Sequence, residues 1–99
     1  MNLRKLARGR DCQVRIPGVC NRDPSTTVLA HIRLPGVSGV GMKVPDLLGA
    51  WACSACHDVI DGRVKTFEGA ETLRLYHLEG MARTISKLLK EGRMESPWR

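Results

Sequence analysis

Large side chains are scarce in this chain. Its 99 residues include four aromatics: Trp51, Phe67, Tyr76 and Trp98. A core drawn from so few large groups gives little net stability. Burial yields ~25 cal/mol per Å² of apolar surface against roughly 1.5 kcal/mol lost per ordered residue, and at this length the two nearly cancel. Long apolar runs are also missing. No stretch approaches the roughly 18 residues of a membrane-spanning helix. The opening MNLRKLARGRDC is basic but leads into no apolar segment of a signal peptide. We therefore expect a single cytoplasmic domain with no membrane partner, whose cysteines are reduced or metal-bound rather than disulfide-linked. Acidic residues are rare in the first part of the chain. Residues 1–43 carry only Asp11 and Asp23 against Arg4, Lys5, Arg8, Arg10, Arg15, Arg22, Arg33 and Lys43. The formal net charge of +6 thus lies wholly in that part, and residues 44–99 balance. Arginine dominates, the side chain suited to bidentate phosphate contact, so an anionic partner is expected, with nucleic acid the leading class and DNA first. A merely solubilising face is the alternative.

The hydropathy pattern predicts a small α+β domain. Residues 3–10 (LRKLARGR) read as a short basic helix ended by Gly9. Pro17-Gly18 and NRDPS (21–25) are turns. TTVLAHIR (26–33), rich in β-branched residues, is the best strand candidate, and its alternation sets His31 opposite Val28 and Ile32. The glycine- and proline-rich 34–46 is a loop able to wrap a ligand. LLGAWA (47–52) reads as the returning strand, CSACHDVID (53–61) as a short helix stopped by Gly62, and 63–67 as a short extended piece. The periodicity of Leu73, Tyr76 or His77, Met81, Ile85, Leu88 and Leu89 predicts a helix over 70–91, with Gly80 marking a bend or a close contact. The domain divides into a basic segment 1–25, a ββα core 26–62, a C-terminal helix 70–91 and a tail 93–99.

Four cysteines are present that can supply the missing stability. Cys53-Ser54-Ala55-Cys56 is a C-x-x-C pair that can chelate one zinc where a turn enters a helix. Cys12 and Cys20 are more widely spaced, but the Pro17-Gly18 turn between them can fold the thiols together. Cys12, Cys20, Cys53 and Cys56 are accordingly the expected ligands of a structural zinc, whose binding energy becomes folding energy. A redox dithiol at Cys53/Cys56 and unrelated buried thiols are the other readings.

Two histidines carry the candidate chemistry. A strand with His31, a loop, a second strand and a helix with His57 make a β-β-α order that can set the two rings across a gap. One could activate water while the other holds a divalent ion, as phosphodiester hydrolysis requires. Asp61, four residues after His57 on one helical face, could ligate that ion or orient His57. His77 reads as structural. Arg8, Arg10, Arg15, Arg33 and Lys43 are the candidate phosphate contacts.

Ala30-His31-Ile32 followed by Ala52-Cys53-Ser54-Ala55-Cys56-His57 resembles the HNH, or ββα-metal, nuclease pattern. The phrases RGRDCQVRIPGVCN, VLAHIRLPG, ACSACHDVIDGR and LEGMART make nearly the full chain similar to the small YbcO-like proteins of lambdoid prophages. The resemblance implies a metal-dependent endonuclease with His31 as general base, His57 as a ligand of a catalytic ion such as Mg²⁺, and a four-cysteine zinc. Two positions depart from the pattern. Ala30 stands where an acid often precedes the base. No asparagine occurs in DLLGAWA (46–52), where Asp46 is the only polar side chain; Asp46, Asp58 or Asp61 are the available substitutes. An inactive zinc module that binds DNA or RNA, and a phage interaction scaffold, are the alternative functions.

Overall fold

Two short strands, β1 (Val28–His31) and β2 (Gly49–Ala52), form an antiparallel hairpin in which Val28 faces Ala52 and His31 faces Gly49. This computed structural model describes residues 2–34, 36 and 44–94. The hairpin is preceded by α1 (Leu3–Leu6) and followed by α2 (Ser54–Ile60) and α3 (Ala70–Lys90). The protein is thus a small α+β domain whose sheet, among the described residues, is a single hairpin.

Local chemistry shortens several expected elements. The helix foreseen over 3–10 is only Leu3–Leu6, started by the Asn2 side chain accepting from Lys5 N. The strand foreseen over 26–33 begins later, because Asp23 caps a 3₁₀ turn over Pro24–Thr26. The returning strand also starts late, behind a 3₁₀ turn over Asp46–Leu48. Residues 63–67 form no strand.

β2 is buried along its whole length, and α3 lies across it. The face α3 buries is His77, Gly80, Thr84 and Leu88. This stripe is offset from the apolar one read in the sequence, because three of its four members are polar or lack a side chain. Each has a specific reason to be there. His77 Nε2 meets the Ala30 carbonyl at 2.8 Å. Thr84 Oγ1 accepts from Trp51 N at 3.0 Å and donates to Gly80 O at 2.8 Å. At Gly80, a Cβ would lie 2.9 Å from Val14 Cα, so the glycine serves close packing rather than a bend.

The core is divided. One cluster gathers Cys12, Val14, Ile16, Ala30, Ala50, Ala52, Cys53, Cys56 and Val59. The other is Ala7, Trp51 and Leu88. The first is built mostly of alanine and cysteine, so small groups surround the thiols.

Candidate metal centre and active site

The segment from Cys12 to Cys20 contains neither helix nor strand. Its course is fixed by hydrogen bonds at both ends: Gln13 N to Trp51 O at 2.7 Å, and Cys20 N to Ile16 O at 2.9 Å. Arg83 Nη1 also donates to Gln13 O at 2.7 Å. This routing brings Cys12 and Cys20 against the start of α2, where Cys53 is the N-cap. The four Sγ atoms all lie within 4.8 Å of one another. Tetrahedral coordination at ~2.3 Å per Zn–S bond requires sulfurs about 3.8 Å apart, and Cys20 and Cys53 are 3.9 Å apart.

Backbone amides also point at the sulfurs, as thiolates need. Arg15 N lies 3.5 Å from Cys12 Sγ, and Cys56 N lies 3.4 Å from Cys53 Sγ. Arg15 and Arg22 adopt left-handed backbone angles, φ 55° and 56°. Such angles are uncommon outside glycine, and here they turn amides toward Cys12 and Cys20. A hydrogen bond from the Cys56 thiol, reinforced by the Arg15, Cys53 and Val14 amides, pulls the Cys12 thiol well below its usual range, and the same contact pushes Cys56 up. The cluster can therefore chelate a metal ion, and its donor set is that of a tetrathiolate site.

The histidines take their places from the hairpin and α2. His31 ends β1, and its Nε2 lies 2.8 Å from Asp46 Oδ1. Asp46 also accepts from Arg4 Nε at 3.2 Å. The His31 hydrogen bond, with Arg4 behind it, holds the Asp46 carboxyl below the usual carboxylate range. An ionised carboxylate can only accept, so His31 Nε2 is the donor of this bond, and Nδ1 is the ring nitrogen left to face other partners. His57 Nε2 is 3.0 Å from Asp61 Oδ2. Arg63 closes over this pair: Nη1 is 3.1 Å from Asp61 Oδ2, Nε is 2.9 Å from Asp58 Oδ1, and Nη2 is 3.4 Å from His57 Nδ1.

His31 and Asp61 line one cleft of about 530 Å³, together with Arg33, Arg63, Arg74 and His77. His57 reaches it through Asp61. His77 is buried, which lowers its basicity, while its bond to the Ala30 carbonyl and the Asp61 carboxylate oppose that fall, and the His57 and His31 rings lie within electrostatic reach of it. Three histidines and a carboxylate thus share one electrostatic environment bordered by arginines.

A family model described as "Putative nuclease YbcO" matches residues 1–93. The chain belongs to the YbcO family. It is 62% identical over 91 residues to "Putative nuclease YbcO" of Escherichia coli (strain K12), covering 92% of this chain and 94% of that protein. The same figures hold for "Putative nuclease ybcO" of Enterobacteria phage 82. A solved structure described as "a putative bacteriophage protein from Escherichia coli str. K-12 substr. MG1655" superposes with a TM-score of 0.75 at 56% identity, covering 92% of this chain and all of that one.

Within this YbcO chain the foreseen phosphate contacts divide. Arg8 and Arg33 are exposed, and Arg33 borders the cleft. Arg10 is engaged elsewhere: its guanidinium sits 4.8 Å above the Trp51 ring and Nη2 bonds Glu91 Oε1 at 2.8 Å. Arg15 Nη2 bonds Gln13 Oε1 at 3.1 Å and lines a separate cleft of about 450 Å³ beside Cys12 and Cys20. Lys43 lies outside the described residues, as does most of the 34–46 loop. Sequence reasoning missed Arg63 and Arg74 as cleft cations, and it left Asp46 as one of three substitutes. The signal for Asp46 was its standing as the only polar side chain before β2. No comparable signal marks the two arginines. No helix among the described residues is long and apolar enough to cross a membrane.

Proposed function

We propose that this chain is a metal-dependent endonuclease that hydrolyses nucleic-acid phosphodiester bonds, DNA first, in an HNH-like site, with Cys12, Cys20, Cys53 and Cys56 holding a structural zinc. The observation that carries the reading is the cleft shared by His31 and Asp61, with His31 oriented by Asp46. His31 Nδ1 takes a proton from water, the water oxygen forms a bond to phosphorus, and the phosphorus–oxygen bond to the leaving nucleoside breaks. That leaving oxygen then takes a proton from solvent. Asp46 stabilises the imidazolium that results, as the orienting acid of a base–acid pair does. Arg33 and Arg74 hold the flanking phosphates.

His57 and Asp61 are the groups that would hold a divalent ion. Their 3.0 Å separation suits adjacent ligands, which at a metal–ligand distance of ~2.0–2.1 Å stand about 2.9 Å apart. Two protein ligands leave positions for water and substrate phosphate, as Mg²⁺ prefers. Such an ion supplies charge stabilisation to the phosphate in the transition state.

The test compares wild type and His31→Ala, matched for zinc content, on DNA and RNA with Mg²⁺ or Mn²⁺. Loss of a general base costs roughly 10²–10⁴-fold in rate. Equal rates for the two proteins, or no cleavage by the folded wild type, refute the enzyme. A second reading, a module that binds without cutting, is favoured by one observation: Arg63 already occupies Asp61. It predicts salt-sensitive binding without products.

A further inference from the structure

Phe67 is the only phenylalanine in a chain of four aromatics, yet it is 111% exposed, more than an extended reference residue. Trp51, by contrast, is 2% exposed and anchors a core cluster. A chain short of large apolar groups gains most by burying them, so a phenyl ring left wholly in water is unlike the other large exposed apolar groups among the described residues, Val28, Leu47, Val64 and Leu75, which stand at 39–55%.

The position of the ring points to its occupant. Phe67 lies in the connection between α2 and α3, which begins with the cleft residues Asp61, Gly62 and Arg63 and leads to Ala70 and Arg74, also cleft residues. Phe67 stands three positions before Ala70, a reach of at most ~10 Å. Lys65, two residues before it, is exposed, as is Glu68 immediately after it. The strip therefore joins a bare aromatic face and a cation to the border of the cleft. A nucleobase with its phosphate matches that pairing: it offers a π-face to the ring and an anion to Lys65 and Arg74.

We propose that Phe67 is a stacking platform for an unpaired base of the nucleic acid whose backbone lies in the cleft, so that the preferred substrate is single-stranded or locally opened. The proposal rests on the nucleic-acid reading above and deepens it. At a base spacing of ~3.4 Å, the reach from Phe67 to the Ala70 border of the cleft spans about three nucleotides.

The experiment measures binding of an oligothymidylate and of a blunt duplex by the full zinc-loaded chain, in a His31→Ala background without added divalent ion. Phe67 packs against nothing that its loss would empty, so Phe67→Ala should melt as its parent does. It should weaken oligothymidylate binding by roughly 5- to 150-fold while leaving duplex binding unchanged, since stacking on one aromatic carries that range. Phe67→Trp should retain affinity, and its added fluorescence should be quenched on binding. Unchanged oligothymidylate binding in Phe67→Ala, or equal losses on both probes, overturns the stacking proposal alone. So does a parent dimer that Phe67→Ala converts to monomer, because the ring then covers a second copy. Failure of the parent to bind either probe overturns the nucleic-acid reading itself.

Discussion

Removing metal from the cysteine cluster should detach residues 11–22 from the rest of the domain. These twelve residues contain no helix or strand. Ordering their backbone costs roughly 12–24 kcal/mol at ~1–2 kcal/mol each. Their buried Val14 and Ile16, with the half-buried Val19, return about 5–9 kcal/mol. A structural zinc contributes about 10–16 kcal/mol, and only with that term do cost and gain meet. The perturbation is chelation under reducing conditions, or Cys20→Ser. The first readout is metal content, one zinc per chain in the untreated protein. The second is amide exchange: Gln13 N and Cys20 N, held by Trp51 O and Ile16 O, should lose protection when the metal leaves. Reductant is essential, since Cys20 and Cys53 sulfurs at 3.9 Å are close enough to oxidise to a disulfide that would mimic the metal. Protected Gln13 and Cys20 amides with an unchanged melting temperature in the reduced, chelated chain would show that packing alone holds the segment, and the zinc reading would fall.

Asp46→Asn should lower kcat roughly 10–100-fold with little change in KM, the scale of losing a group that orients a functional histidine, and Asp46→Glu should recover part of it; a purely structural Asp46 would move neither parameter in the folded variant. The Asp46 carboxyl is held low by His31, so its contribution to stability is full above pH ~4 and is lost as the pH falls further. The melting-temperature gap between wild type and Asp46→Asn should therefore close below that pH, and a gap independent of pH would contradict the pairing. Gly80→Ala sets a helix-propensity gain of ~1 kcal/mol against overpacking of about 1–3 kcal/mol, because the new Cβ would meet Val14 Cα at 2.9 Å and Gln13 O at 3.0 Å. Calorimetry should show net destabilisation, and a raised melting temperature would mean that α3 does not press on Gln13 and Val14.

Much of the α2 region was legible because its signals are local. Cys53 and Cys56 are close in sequence, and the Gly62 stop and the His57–Asp61 spacing need no tertiary information. The Cys12–Cys20 pair was legible through one turn, Pro17-Gly18. What was not legible depends on contacts between distant elements. The buried face of α3 could not be read from apolar periodicity, since His77, Gly80 and Thr84 are there to meet Ala30 O, Val14 and Trp51 N. The charge asymmetry misdirected attention in part. Residues 1–43 hold the excess, yet Arg4 and Arg10 are committed to Asp46 and Glu91, while two of the three cleft arginines, Arg63 and Arg74, come from the balanced part of the chain. Net charge along a sequence does not say which arginines are free, because carboxylates far away in sequence decide it.

The two proposed metals are mechanically joined, and this constrains any assay. Cys53 caps α2, and the same helix carries His57 and leads to Asp61. Trp51 and Ala52 of β2 precede that cap and pair with Leu29 and Val28 of β1, whose last residue is His31. Release of the structural ion would therefore loosen the supports of both walls of the cleft, even if no catalytic ion had been bound. Loss of cleavage in a chelator is for this reason no evidence of a catalytic metal. The distinguishing experiment starts from protein with one tightly held zinc, keeps that zinc by omitting chelator, and titrates Mg²⁺. A cleavage rate that saturates with Mg²⁺ while amide protection at Gln13 stays constant assigns the added ion to the His57–Asp61 side of the cleft. Cleavage that is already maximal with zinc alone removes the second ion from the mechanism.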